Sequence, residues 1–239
     1  MSEQQAGLCI SSSMHKWINA QPDMYEPVMR LVCAELYGML GEPSHTVLVE
    51  KLYRAVDQEV ARVLAKKSPD ELILCTKGCD TCCHMYVRAA DCETRYILDY
   101  CRAYNIEIDR AHLERQAQWD EDTFWTVPRN EARCVFLTRD TEKDYGVCRI
   151  YEARPTACRL YYVVGPKGTC EHGVIKQVAA KFFAKAEIMS SAALNQGHCT
   201  RTEDGFEIGT CPPITSLPAQ LLNLLRGEER NFTKTSIVG

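Results

Sequence analysis

Four cysteines fall within nine residues of this chain, in the run CTKGCDTCCH over residues 75–84. Four more follow as single residues, Cys134, Cys148, Cys158 and Cys170. A short clip followed by distant single thiols is how a metal gathers ligands from several segments, because the clip presents two sulfurs at little loop-closure cost. Gly78 allows the tight backbone turn that such a clip needs. If residues 79–83 open a helix, Cys79 shares a side with Cys82 and Cys83, whereas the adjacent pair diverges by about 100°. Adjacent thiols are poorly placed to grip one ion together. The eight could therefore build two four-thiolate sites, or one cluster with spare thiols.

The chain has 14 cysteines among 239 residues. That is about 6%, below the level of roughly 8 to 10% that marks a small disulfide scaffold. A chain of this length can bury a core without covalent staples, so the excess calls for chemistry. The N-terminal stretch lacks a basic run followed by an apolar segment and a cleavage site, and no window reaches the roughly 18 apolar residues of a membrane span. The expectation is a cytoplasmic protein with reduced thiols, no membrane association and, at a net charge of −4, no nucleic-acid partner. Metal or redox use of the clustered thiols follows from that setting. The scattered Cys9, Cys33, Cys92, Cys101, Cys199 and Cys211 are expected to be small buried hydrophobes.

Apolar periodicity predicts helices over 27–40, 44–64, 91–104, 109–119 and 174–194. The second is the clearest, with Ser44 as N-cap and an apolar stripe from Leu48 through Leu52, Val56 and Val60 to Leu64. Ser216 caps a short last helix over 216–225, closed by Gly227 and followed by a polar tail. Between 122 and 172 the pattern breaks into short apolar runs. The expected architecture is mainly α: one helical domain with an irregular cysteine-rich metal-binding centre and few short strands. Its parts are an N-terminal helical region at 1–70, a cysteine domain at 71–200, and a short helix with tail at 201–239. The helices at 27–66 pack on the cysteine domain or on a protein partner. Trp119, Phe124 and Trp125 are expected in the core, with a ligand surface as the alternative.

Several cations sit beside the candidate thiols: Lys77, Arg133, Arg149, Arg154 and Arg159. Four thiolates on a divalent ion leave a charge of about −2, which needs such neighbours if it is buried. Pro155 fixes its own φ and biases Arg154 away from the helical region. A helical turn starting there would hold Cys158 and Arg159 near its positive end. The alternative is a surface pair of Arg154 with Glu152.

The clip, then CVFLTRD, then CRIYEARPTACRLYYV, and finally Cys170 resemble the cysteine cluster, or CxxCxxCC, family of zinc- or iron-chelating domains. The resemblance implies that Cys75, Cys79, Cys82, Cys83, Cys134, Cys148, Cys158 and Cys170 bind metal, as an iron-sulfur cluster or as zinc. Three residues separate Cys75 from Cys79 where one common form of the motif has two, which makes Cys75 the outlier. The flagellin lysine N-methylase family uses a similar cysteine pattern with S-adenosylmethionine. It implies an enzymatic alternative, for which Cys82, Cys83, His84 and His172 are the candidates. Thiol–disulfide exchange through Cys79 and Cys82 is a third reading, weakened by the lack of a βαβ pattern.

Overall fold

A computed structural model describes residues 45–67, 72–75, 79–139, 146–164, 183–194 and 215–236. It also describes short strands at 179–180, 199–202 and 205–208 and three single positions, 19, 20 and 23. The predicted helix at 27–40, the Ser44 cap, Lys77, Gly78, Cys170 and His172 lie outside the described residues.

The apolar stripe read from the sequence forms α1, His45–Ala65. It buries Leu48, Val49, Leu52, Tyr53, Val56 and Val60 against Phe183, Ala186, Ile188 and Met189 of the C-terminal helical segment. That segment's helix, α6, runs Ala184–Leu194. The expected helix over 174–194 therefore begins later. Ala179–Ala180 is instead a strand, β5, paired antiparallel with β4, Val163–Val164. A run of alanine and apolar residues satisfies either period, and the free edge of Val163–Val164 supplies the backbone partner that decides it.

A second core gathers α2, Asp91–Ala103, and α7, Leu217–Ser236. Ile97, Leu98 and Cys101 of α2 pack there with Leu217, Leu221 and Leu222 of α7, and with Leu113, Phe136 and Ile150. Asn105 closes α2 in the left-handed region at φ 52°, and the Ile106 amide donates to the Cys101 carbonyl at 2.8 Å. Between them lie α3, Arg110–Gln116, and the single turn α4, Glu121–Phe124. Asp109 and Asp120 cap them by accepting from the amides of His112 and Thr123. The α3 helix is shorter than the expected 109–119, since isolated turns carry the chain on to Trp119.

The C-terminal helix is longer than expected. Ser216 caps it as read, its Oγ accepting from the Ala219 amide at 3.3 Å. Gly227 does not end it, and a Cβ there would meet nothing within 4 Å. One helical glycine costs about 1 kcal/mol, and the Glu and Arg residues that follow are good helix formers. What was read as a tail is helical to Ser236.

The strands are short antiparallel pairs. β1, Arg88–Ala89, pairs with β8, Thr215–Ser216; β2, Leu137–Arg139, with β3, Gly146–Cys148; and β6, Cys199–Thr202, with β7, Gly205–Ile208. The β6–β7 hairpin was not foreseen. The protein is thus mainly helical with few short strands and no closed barrel among the described residues. No described helix is long and apolar enough to cross a membrane.

Candidate metal centre

The thiols are delivered by four irregular segments braced on this frame. In the first, Leu72–Cys75 runs beside β4: Ile73 bridges Val164, and the Leu74 amide donates to the Val163 carbonyl at 3.0 Å. The Val163 amide in turn donates to Cys75 Sγ at 3.3 Å. Cys75, the outlier of the motif, thus has a defined place at the cavity wall.

The clip itself is a 3₁₀ turn, Thr81–His84, rather than the start of an α-helix. The Cys83 amide donates to the Asp80 carbonyl at 2.9 Å. At three residues per turn, neighbouring positions diverge by about 120°, which turns Cys83 away from Cys82. The side chain of Asp80 reaches across to the β3 strand, its Oδ2 accepting from the Gly146 amide at 2.9 Å. The Cys83 carbonyl accepts from the Cys134 amide at 2.7 Å. These two bonds join the clip to the segments carrying Cys134 and Cys148.

The fourth segment follows the expected Arg154–Pro155 logic. Arg154 is extended at φ −57°, ψ 140°, and Pro155 caps α5, the single turn Thr156–Arg159. The Cys158 amide donates to the Pro155 carbonyl at 2.9 Å. Arg159 is only 4% exposed and its donors go to the frame. Nε donates to the Arg154 carbonyl at 2.9 Å, Nη1 to Asp57 Oδ2 at 2.5 Å, and Nη2 to the Glu152 carbonyl. Its guanidinium lies 4.0 Å over the Tyr53 ring. Arg159 therefore locks the turn onto α1 instead of facing the thiols, contrary to the expectation.

Glu93 completes the brace. Its Oε1 accepts from the Thr156 amide at 2.7 Å, the Thr156 hydroxyl at 2.8 Å and the Tyr53 hydroxyl at 3.2 Å. Its Oε2 accepts from the Ala90 amide at 3.1 Å. Burial pushes the Tyr53 hydroxyl well above its ordinary value, so it stays a donor. Glu93, Asp80 and Asp57 escaped the sequence reading, because a carboxylate on a helical or cysteine-rich segment has no local pattern that marks its distant partner.

Cys75, Cys79, Cys82, Cys83, Cys134, Cys148 and Cys158 all line one cavity of about 360 Å³. Tyr151, Arg154, Pro155, Tyr161, Tyr162 and Leu217 are among its other walls. Seven of the eight candidate thiols are thereby brought together; the eighth, Cys170, is outside the described residues. Among the described residues no three His, Cys, Asp or Glu side chains close on a point that would hold one ion. Cys101 is buried in the second core and Cys92 packs against the first, as expected of structural thiols. Cys9, Cys33 and Cys211 lie outside the described residues, and Cys199 is in β6.

The thiols sit in unequal fields. A hydrogen bond from Cys83 brings Cys82 down to about 7. Burial pushes Cys134 up to about 12, raises Cys148 and lifts Cys158 well above the ordinary thiol range. Buried thiols keep their protons until a cation repays the desolvation of the thiolate, so metal binding here releases protons. His84 is turned from the cavity, its Nδ1 hydrogen-bonding the Arg129 carbonyl at 3.0 Å.

The surroundings suit an anionic metal–thiolate group. Arg133 and Arg149 flank Cys134 and Cys148 in sequence, and Arg154 lines the cavity. In all three the Nε atom is buried and has no hydrogen-bond partner. Soft thiolates take zinc or iron and disfavour hard cations. Arg154 stacks its guanidinium 3.9 Å over the Tyr151 ring, in place of the alternative surface pair. The expected core placement holds for Phe124, which is buried, while Trp125 is 61% exposed.

A helical frame thus surrounds a thiol-lined cavity. Residues 74–188 match the model of the CxxCxxCC family, described as a "Putative zinc- or iron-chelating domain". The match spans every cavity thiol and Cys170, and it supports metal binding in general. No curated protein and no solved structure matches the chain.

Proposed function

We propose that the protein holds a polynuclear iron-sulfur centre in this cavity, ligated by thiolates drawn from Cys75, Cys79, Cys82, Cys83, Cys134, Cys148, Cys158 and Cys170. The observation that carries the reading is that seven thiols line one cavity of about 360 Å³, room for more than a single ion. A mononuclear structural zinc site wants four ligands about 2.3 Å from one point, and the rest of such a cavity would stay empty. Iron bridged by inorganic sulfide spreads its ligand positions over several ångströms and accepts thiolates alone. The bond from the Val163 amide to Cys75 Sγ is the N–H···S contact that tunes such centres.

A second reading has its own support. Cys82 and Cys83 diverge in the 3₁₀ turn, and eight thiolates divided between them would make two four-thiolate zinc sites. Both metals suit soft ligands, so composition decides. Protein isolated without oxygen is expected to be coloured, with iron and acid-labile sulfide in comparable amounts. A colourless protein with two zinc ions per chain would establish the second reading instead.

A further inference from the structure

The peptide unit that joins Arg133 to Cys134 is held at both ends by short hydrogen bonds. Its N–H donates to the Cys83 carbonyl at 2.7 Å. Its carbonyl accepts from His112 Nε2 at 2.6 Å and from Gln116 Nε2 at 2.6 Å. His112 and Gln116 are four apart on α3 and so present these donors from one face of the helix. Both are buried, and Leu113 of the same helix is sealed in the second core, which makes α3 a fixed base.

The orientation of each side chain is determined. Arg115 Nη2 lies 3.3 Å from His112 Nδ1, which accepts from it and leaves the ring N–H at Nε2, facing the Arg133 carbonyl. Gln116 gives its other N–H to the Glu131 carbonyl at 3.3 Å, while its Oε1 is buried without a partner. Turning the amide over would set that oxygen against two carbonyl oxygens. Gln116 therefore tolerates an unpaired acceptor, a costly and uncommon state, while directing both donors at the segment before Cys134. Two donors on one carbonyl polarise the peptide and strengthen its N–H bond to the Cys83 carbonyl.

We propose that His112 and Gln116 are positioning residues for the metal centre: through the Arg133–Cys134 peptide they hold Cys83 and Cys134 in register as ligands. The inference rests on the metal reading of the cavity. Neither side chain borders the thiol-lined cavity, so each acts through the peptide and not on the metal.

The parent, His112→Phe, Gln116→Met and His112→Gln are isolated without oxygen and titrated with phenanthroline, with metal counted per chain. The metal-loaded proteins are also alkylated with iodoacetamide and mapped by mass spectrometry. Phenylalanine and methionine fill the space without the donor, whereas glutamine at 112 keeps an N–H near the place of Nε2. Cys101→Ala, in the second core, controls for lost stability alone. The Phe and Met variants are expected to release metal at about ten-fold lower chelator concentration, as is usual when a partner beside a ligand is removed. Cys83 and Cys134 should be the thiols whose alkylation accelerates most, and His112→Gln should return retention toward that of the parent. Gln116→Met and His112→Gln carry the test if His112→Phe fails to fold. Parent-like retention in the donor-less variants overturns the inference. So does a loss that Cys101→Ala matches at equal urea midpoint, or alkylation that accelerates alike at every cavity thiol, since either assigns the pair to the fold alone. A parent that carries no metal is a different failure, that of the metal reading itself.

Discussion

Glu93 and Thr156 are 63 residues apart in sequence and joined by two hydrogen bonds, from the Thr156 amide at 2.7 Å and from its hydroxyl at 2.8 Å, both to one carboxylate oxygen. Thr156 opens the turn that carries Cys158, and Glu93 belongs to α2. The same oxygen accepts from Tyr53 of α1. One buried carboxylate thus fixes a cavity segment to both α1 and α2.

Removing that carboxylate strands several buried donors. Glu93→Ala is expected to lower unfolding free energy by about 3 kcal/mol or more, since each orphaned buried group costs about 1 to 3 kcal/mol. Glu93→Gln, which keeps the shape and one acceptor, should lose less. Urea unfolding monitored by circular dichroism measures both. Equal stability of Glu93→Ala and the parent would show that the brace is not needed.

The Asp80–Gly146 bond should be equally exposed to substitution. A Cβ at Gly146 would lie 2.6 Å from Leu137 Cδ1, 2.9 Å from its Cγ and 3.0 Å from the Thr138 carbonyl oxygen. Leu137 is buried and the carbonyl is backbone, so little can yield. Gly146→Ala is expected to cost about 1 to 3 kcal/mol, the usual range for overpacking, and to reduce metal retention by moving Cys148. Metal content after gel filtration, read beside the unfolding midpoint, tests it.

Arg159→Lys tests the lock between the Cys158 turn and α1. Lysine cannot reproduce three donors directed at Asp57 and the carbonyls of Glu152 and Arg154. A loss of about 2 kcal/mol is expected, because the buried cation at this position would keep fewer of its hydrogen bonds. A smaller change in thermal midpoint than that of an exposed control such as Arg95→Lys would contradict it.

Cys92 and Cys101 provide the internal control for the cysteines. Both pack in the cores and neither borders the cavity. Cys92→Ala and Cys101→Ala should keep the parent's metal per chain, with about 1 kcal/mol lost for the fully buried Cys101. A fall in metal content in either variant would place a ligand outside the cavity.

Much of this was legible because two periodicities were clean. The α1 stripe and the α2 pattern predicted their helices closely, and the Arg154–Pro155 pair predicted the turn before Cys158, since proline acts through local sterics. The grouping of the clip with Cys134, Cys148 and Cys158 was legible from type and spacing. Long-range braces were not. The roles of Glu93, Asp80 and Arg159 depend on partners tens of residues away, and Arg159 was read as a thiolate neighbour because sequence adjacency to Cys158 says nothing of where a long side chain ends. The strand at Ala179–Ala180 and the continuation of α7 past Gly227 were missed for a related reason: a weak local preference yields to a pairing partner or to the strength of the helix on either side.

The central claim is that the thiol-lined cavity is a metal site. Its most direct test is metal and acid-labile sulfide analysis of protein isolated without oxygen, paired with alkylation of the native protein before and after chelation. The account predicts iron and sulfide in comparable amounts, cavity thiols protected until the metal is removed, and a clear loss of metal when Cys83, Cys134 or Cys158 is changed to serine. Protein that carries no metal, with these thiols alkylated equally fast whether or not chelator is present, would contradict it.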